Sequence, residues 1–528
     1  MLRKIITITV LSGVLVSCTK NFAKINQNPT SPTTVPLDYL LAESQLLYAG
    51  SAGDPGYFEW RANLYYSMPM IQQMASLGGT YSGDKYLYND GSSGAYFGTS
   101  NGEGNYPNSV KNLVNLVAQC RLDSATNTNT LAMARITKAV LFSIMTDLYG
   151  DIPYFNAGDA YLSGNLAPTY DPQSAIYPDL LNELALGAAG LDSTKYIASA
   201  SDFSYGGNLM YWRQLAYSMM LRLGMRLQKV DPTDAQTWVQ KAIAGGVFTS
   251  NAGTYLIQYG GGGNTANINP HSYNLGPSDN IARNVVAGDV LQWSNTFIGT
   301  MVARQDPRLH EVASVGVVLS TNGHSLVLGD TTSADQLGLP NGLNNAPGNT
   351  NIDIYSVMNP LTFTSTAPDI ILSYAEVEFL KAEAEARGWV SGNAGTDYAL
   401  GQQAALQQMA SFNAAFTPTA AQVTAYQTAN PFPASGFNAQ LEQIQTELWL
   451  LWGDTYNGYE AWSSWRRTNY PTLVPVNYPG NNTGGTIPRR LQFPAEEKSL
   501  DPAGYQAALG RMGQDVLTTM VWWDGGTD

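Results

Sequence analysis

The sequence predicts a mostly α-helical protein of stacked, tetratricopeptide-like helical hairpins, carrying long loop-rich insertions and a few short strands. Three observations lead there. Apolar residues recur at spacings of three and four in segment after segment, which is the period of a helix with one buried face. Neighbouring segments are joined by short turns, as in repeat proteins built from helix pairs. The stretch from Val247 to Ala367 breaks the pattern with glycine runs such as Gly260 to Gly263, few charges and short β-prone pieces.

The clearest hairpin runs from Asp369 to Ala410. Ser373-Tyr374-Ala375-Glu376 is a Ser-x-x-Glu capping box, in which the serine oxygen takes a first-turn N–H and the glutamate reaches back to the cap. Ala375, Phe379, Ala382 and Ala386 then mark the buried face, with Glu376, Lys381, Glu383 and Glu385 on the others. Gly388 ends this helix, and after Ser391-Gly392-Asn393 a second helix resumes at Tyr398, Ala405, Leu406 and Met409. Its many alanines allow close approach of the pair.

Other helices are expected at Leu37 to Ala49, Trp60 to Leu77, Lys111 to Gln119, Ala132 to Tyr149, Tyr177 to Gly187, Trp212 to Lys229 and Leu441 to Leu451. Thr146 to Tyr154 contains Gly150, which suits a left-handed C-cap, and Pro153, which forbids continuation, so it reads as a sharp helix stop. In Trp212 to Lys229, Leu215, Met219, Leu223 and Leu227 face inward, and Arg222 and Arg226 are read as ion-paired partners of nearby carboxylates. Ser314 to Leu319 and Ser325 to Leu328 are the strand candidates, and Trp293 and Phe297 are placed on a helix facing the loop described next.

The least regular stretch is Gly78 to Pro107, with Tyr81, Tyr86, Tyr88, Tyr96, Phe97 and Tyr106 set among Gly, Ser, Asn and Asp. Aromatic rings beside short polar side chains suit a neutral glycan, whose apolar C–H faces lie on rings while its hydroxyls bond to Asn, Asp and backbone groups. The candidate ligand-binding residues are therefore Tyr81, Asp84, Tyr86, Tyr88, Asn89, Asp90, Tyr96 and Trp293. The bland alternative is that these rings pin a long loop to the helical core.

At the amino terminus, Arg3 and Lys4 precede an uncharged run from Ile5 to Val16 that closes on Ser17-Cys18. This is the order of a bacterial lipoprotein signal peptide, too short to span a bilayer. The expected organisation is a signal peptide at 1–17, a tether at 18–36 lipidated on Cys18, and one helical binding domain at 37–528. Several acyl chains on Cys18 would anchor the protein stably to a membrane. Cys120 is the only other cysteine, so no intrachain disulfide is expected.

Composition narrows the partners. A net charge of −14, with charged residues only 13% of the chain, argues against nucleic acid, whose recognition needs clustered Lys and Arg. The 31 Tyr and 11 Trp favour an uncharged ligand with flat apolar faces. Catalytic signals are missing: no Gly-x-Ser-x-Gly elbow, phosphate loop or dinucleotide fingerprint occurs. His271, His310 and His324 lack the spacing of a zinc motif and read as ordinary surface or loop residues. Asp84, Asn89 and Asp90 lack the spaced ligands of a calcium loop. No cofactor, metal or catalytic residue is expected.

Several marks also resemble one known family. Ile370-Ile371-Leu372 with the hairpin that follows, Thr146 to Tyr154, the helix Trp212 to Lys229, Asp306-Pro307-Arg308-Leu309, Tyr459-Glu460-Ala461-Trp462, Trp465 to Pro471, Ile487 to Leu491 and Phe493-Pro494 are similar to segments of the SusD/RagB family of nutrient-binding outer-membrane lipoproteins. Asn21-Phe22 and Ile25 to Pro29 resemble its SusD-like opening, so the marks run in order along nearly the whole chain. The resemblance implies a non-catalytic lipoprotein of the outer membrane, facing the cell surface. It would bind an oligosaccharide, or a peptide as RagB-like relatives imply, and deliver it to a SusC-like TonB-dependent transporter. It also implies that the early loop contributes to the ligand site. The competing reading from another class is a surface hydrolase of glycans or peptides, whose paired carboxylates would be brought together only by folding.

Overall fold

A computed structural model describes residues 35–50, 58–77, 83–98, 104–262, 265–275, 291–319, 326–344 and 354–527. The signal peptide, Cys18, most of the tether, Tyr81 and His324 lie outside the described residues. In chain order the principal helices are α1 (Leu37–Ala49), α2 (Lys111–Leu122), α3 (Thr128–Tyr149), α4 (Gln173–Gly190), α5 (Leu209–Arg226), α6 (Pro232–Gly245), α7 (Pro270–Leu275), α8 (Asn295–Ala303), α9 (Tyr374–Ala386), α10 (Ala394–Gln408), α11 (Ala420–Ala429), α12 (Phe437–Asp454), α13 (Gly458–Thr468) and α14 (Pro502–Met512). Consecutive helices pack on one another from α1 to α6, and α5 passes the stack on to α9, α12 and α13. The fold is mostly α with tetratricopeptide-like character, as its periodicities predict.

The hairpin α9–α10 forms where expected, and Gly401 makes its close approach possible: a Cβ there would meet the Phe379 ring at 2.7 Å. The capping box is only half present. Ser373 Oγ accepts the Glu376 N–H at 3.1 Å, but the Glu376 side chain turns inward instead of back to the cap. The helix therefore lacks the wet face assigned to Glu376 and Glu383, both of which are buried.

Their burial is explained by arginines. Arg222 grips Glu376 with Nε and Nη2 at 2.6 and 2.7 Å, and Trp452 Nε1 donates to the same carboxylate at 3.0 Å. Arg226 Nη2 lies 2.7 Å from both oxygens of Glu460, and its Nε lies 3.2 Å from Asp147. Arg467 holds Glu383 at 2.6 and 2.7 Å, and Arg387 adds a third contact at 2.8 Å. Burial alone would push the Glu383 carboxyl up, but the two guanidiniums outweigh it and hold it down at about 2.

The Thr146 to Tyr154 segment does stop its helix, although not with a left-handed cap. Gly150 has φ +83° and ψ −121°, outside the left-handed helical basin, and a Cβ there would meet Met512 Sδ at 2.5 Å. Asp147 receives Tyr177 Oη–H and Trp523 Nε1–H, and Asp151 receives Arg511 Nε–H at 2.6 Å. The motif joins α3 to the C-terminal segment.

Three further expectations need correction. The helix from Trp60 becomes a π-helical stretch at Glu59–Ser67 that ends by Met70, and Met74–Ser76 is a strand. Trp293 closes the strand Leu291–Trp293 paired antiparallel with it, so only Phe297 is helical. His271 is buried at 2% exposure rather than superficial. The remaining strands among the described residues are two-stranded ladders: Ile152–Pro153 pairs with Tyr170–Asp171 between α3 and α4, Asp369–Leu372 pairs with Tyr255–Ile257, and the others lie within the insertion. Among the described residues no helix is long and apolar enough to cross a membrane.

Removing one partner of a buried pair leaves the other charge without compensation. Arg222→Ala should therefore destabilise the protein by about 3–5 kcal/mol, while Arg222→Met combined with Glu376→Leu should recover most of that loss. Denaturant unfolding of the two variants checks this, and a single-variant loss below about 1 kcal/mol would show the pair to be dispensable.

Candidate ligand-binding face

The irregular loop is built outward from the π-helical stretch. After Met74–Ser76 the chain makes a tight turn at Gly83–Lys85, where Asp84 and Lys85 are both buried and paired at 3.4 Å. Lys85 Nζ donates to Ser76 O at 2.5 Å, and Gly342 N–H donates to Asp84 Oδ2 at 2.8 Å. The insertion around residue 342 is thereby tied to the base of the loop.

Tyr86 follows with φ +53°, an unfavourable conformation for a bulky residue that its surroundings must hold. Its ring is fully buried, its hydroxyl accepts Val476 N–H at 3.3 Å, and its carbonyl accepts Asn482 N–H at 2.9 Å. Asn482 Oδ1 in turn accepts Tyr88 N–H at 2.7 Å. Asn482 therefore clamps the backbone on both sides of Leu87.

Beyond the clamp the chain reaches the surface. Tyr88 is half-buried, and its hydroxyl donates to Asp90 Oδ1 at 2.8 Å. Asp90 also accepts Ala495 N–H at 2.9 Å, and Asn89 caps the short turn Asp90–Ser93 by accepting Ser92 N–H at 2.8 Å. Burial first, and then the Asp90 carboxylate, push the Tyr88 phenol above its ordinary value, so it remains a hydrogen-bond donor. Tyr96 then returns to the core, with its ring edge-on to Phe58 at 5.0 Å and Tyr459 at 4.8 Å.

The predicted site residues thus divide. Tyr88, Asn89 and Asp90 stand together at the surface. Asp84, Tyr86, Tyr96 and Trp293 are buried and offer no face to a ligand. Tyr86 and Tyr96 anchor the loop, as the bland alternative supposed. Trp293 stacks on Phe297 at 4.5 Å and donates from Nε1 to Val312 O at 2.9 Å.

The second loop was not anticipated. Asn477, Tyr478 and Asn482 come from the segment that binds Tyr86 and Tyr88, with Tyr478 half-buried near Lys85 and both asparagines exposed. The signal was in the chain: Val476 to Gly485 repeats the mixture of Tyr, Asn and Gly seen in Gly78 to Pro107. Together the two loops form a face of half-exposed tyrosines among amides and one carboxylate. Among the described residues no group of three or more His, Cys, Asp or Glu could hold a metal ion.

A family model described as starch-binding and associating with the outer membrane matches residues 60–494. The chain belongs to the SusD-like family. Among solved structures, this SusD-like protein is similar to a chitin-binding protein at 30% identity and a TM-score of 0.79, covering 93% of this chain and 100% of that one. It is also similar to a Bacteroidetes AC2a SusD-like protein at 25% identity and a TM-score of 0.80, with the same coverages. A chitin-binding SusD homolog from Flavobacterium johnsoniae, at 23% identity and a TM-score of 0.70, covers 92% of this chain and 98% of its own and shares the fold. No curated protein sequence matches. The matched span includes the SusD-like protein's loop at Tyr88 and the one at Tyr478.

Burial separates the two neighbouring tyrosines experimentally. Tyr86→Ala should cost about 3–5 kcal/mol of stability, the range for emptying a buried aromatic site. Tyr88→Ala should stay within about 1 kcal/mol, as for a partly exposed residue. Denaturant titration of both variants measures the contrast, and equal losses would place both rings in the same environment.

Proposed function

We propose that this protein is a non-catalytic outer-membrane lipoprotein that captures an oligosaccharide and hands it to a SusC-like TonB-dependent transporter. The observation that carries the reading is the likeness over 93% of the chain to a chitin-binding protein at 30% identity, within a family described as starch-binding. Both descriptions are of neutral glycans.

The surface chemistry supports the same class of ligand. Rings that are half-exposed and fixed by hydrogen bonds lose little freedom when a sugar lies on them, which favours affinity. Tyr88 is held in this way by Asn482 and Asp90. Asn89, Asn477 and Asn482 beside it supply both donors and acceptors for sugar hydroxyls. A peptide would be bound through its regularly spaced backbone amides, for which an extended sheet edge is the usual partner.

In this reading the segment 1–17 is removed, Cys18 carries the lipid, and 18–36 links the lipid to the binding domain. The acyl chains, rather than the fold, then hold the protein at the membrane.

Calorimetry with N-acetylglucosamine oligomers and with α-1,4-glucan oligomers tests the ligand class. One series should bind, and Tyr88→Ala should weaken that binding by about 1 kcal/mol or more with the melting temperature unchanged. Binding of peptides with neither glycan series bound would overturn the oligosaccharide reading. The anchor is tested separately: Cys18→Ala should yield a folded protein released from the outer-membrane fraction. Retention of that variant after salt washing, in cells lacking the transporter, would show that something other than lipid attaches it.

A further inference from the structure

Three titratable residues from distant parts of the chain meet behind the α5–α9 junction. Glu59 comes from the π-helical stretch, His271 from α7 and Asp369 from the strand that precedes α9. His271 Nε2 lies 3.4 Å from Glu59 Oε2, and the side chains of these two residues are only 3% and 10% exposed. The buried Nε2 makes no hydrogen bond among the described residues. Glu59 and Asp369 line a cavity of about 40 Å³, large enough for water and too small for a sugar ring.

Among the described residues, no cation of the cavity wall is left to balance this cluster. Arg222 reaches the same cavity, but its guanidinium is bidentate on Glu376 and bonds Ile371 O. Glu460, across the cavity, is held by Arg226. Asp147 also lines the cavity and is held by Arg226, and the other titratable groups facing the cluster among the described residues are the phenols of Tyr96, Tyr259, Tyr456 and Tyr459. Burial first, and then the charges of Glu59 and Asp369, push Tyr96, Tyr259 and Tyr459 far up, so they stay neutral. Glu59 is steadied by Asn63, whose Nδ2 donates to it at 2.7 Å and to Tyr456 O at 2.6 Å.

The cluster is also a mechanical joint. The His271 ring rests on Tyr456 at 5.0 Å. Asn269, just before α7, bonds Ser365 O through its N–H and Ala367 O through Nδ2, two residues short of Asp369. The short helix thus sits between the π-helical stretch and the strand, with a carboxyl group on each side.

We propose that Glu59, His271 and Asp369 form a proton-operated latch that holds α7 in place. With a proton on the cluster, at most one carboxylate is uncompensated. With the proton lost from Asp369, a second carboxylate faces the cavity beside Glu59, and α7 loosens.

The direction of the pH effect follows from Asp369. Burial pushes its carboxyl up to about 7, with His271 opposing and Glu59 reinforcing the shift. An unfolded aspartate titrates near 4. The folded protein therefore holds the proton more tightly, and stability falls as pH rises from about 4 to about 7 and is level above that.

The test compares purified protein at pH 5.5 and pH 8 by denaturant unfolding and by hydrogen exchange of residues 269–275, corrected for the intrinsic exchange rates. Asp369→Asn and Glu59→Gln are near-isosteric controls. The latch should contribute about 30-fold to how much less favourable wild-type unfolding is at pH 5.5 than at pH 8, from one proton over the roughly 1.5 pH units between 5.5 and about 7, beside the share of other raised carboxyls such as Glu311, and Asp369→Asn should lose that contribution. Amides of 269–275 should be better protected at pH 5.5 in the wild type only. Equal wild-type protection at both pH values, or an undiminished pH dependence in Asp369→Asn, would overturn the proposal. The wild-type exchange profile decides it even where a variant does not fold.

Discussion

Arginine charges buried with their carboxylates fix how the helical pairs of this molecule stack. Taking such ions out of water is expensive, and the cost is offset only when the opposite charges meet in close geometry with further hydrogen bonds around them. Arg222 with Glu376 joins α5 to α9, Arg226 with Glu460 and Asp147 joins α5 to α13 and α3, and Arg467 with Glu383 joins α13 to α9. A slip of one residue along any of these helices would rotate a charge about 100° into apolar surroundings. The pairs therefore specify register more than they add stability. Arginine suits the task because its planar fork can satisfy both carboxylate oxygens at once, which a lysine cannot.

That constraint propagates to the loops. Asp147 is held by Arg226, and the same α3 terminus places Tyr149, whose hydroxyl donates to Ser93 O and accepts Phe97 N–H. The end of the aromatic loop is thus tied to the helical stack through one tyrosine. Its beginning is tied through the buried Asp84–Lys85 pair and the Tyr86 ring. With both ends fixed, the surface run from Tyr88 to Asp90 can be irregular in backbone and still constant in shape. A binding face built on loops requires such fixation, since a loose loop would lose affinity on ordering.

The helices were legible because their signal is local. Apolar spacing located α1 to α5 to within a few residues, and Ser373 and Gly388 marked the ends of α9. The misreadings occurred where tertiary contacts override local preference. Glu376 completes a capping box in sequence, but Arg222, 154 positions away, offers the carboxylate a stronger partner. Trp293 fits a helix with Phe297 until Met74–Ser76 supplies a strand to pair with. At the candidate face, residue type located the loop, while depth separated Tyr88 from Tyr86. Depth depended on Val476 and Asn482, 390 and 394 positions away from their partners.

Among the described residues, most of the marks that resemble the family lie in this buried framework rather than on the candidate face. Asp147, Arg222, Glu460, Arg466 and the Asp306–Arg308 pair are all inside; the first four are held by partners on other helices, and Arg308 reaches Asp454 in α12. Surface residues such as Tyr88 and Asn477 bear no comparable constraint, because a change there strands no buried charge. A framework of this kind can keep its stacking while its two loops change composition. Likeness of fold then reports how the helices are locked together. Under the proposed function, the choice among glycans would fall to a few rings and amides in two loops held against each other by Asn482.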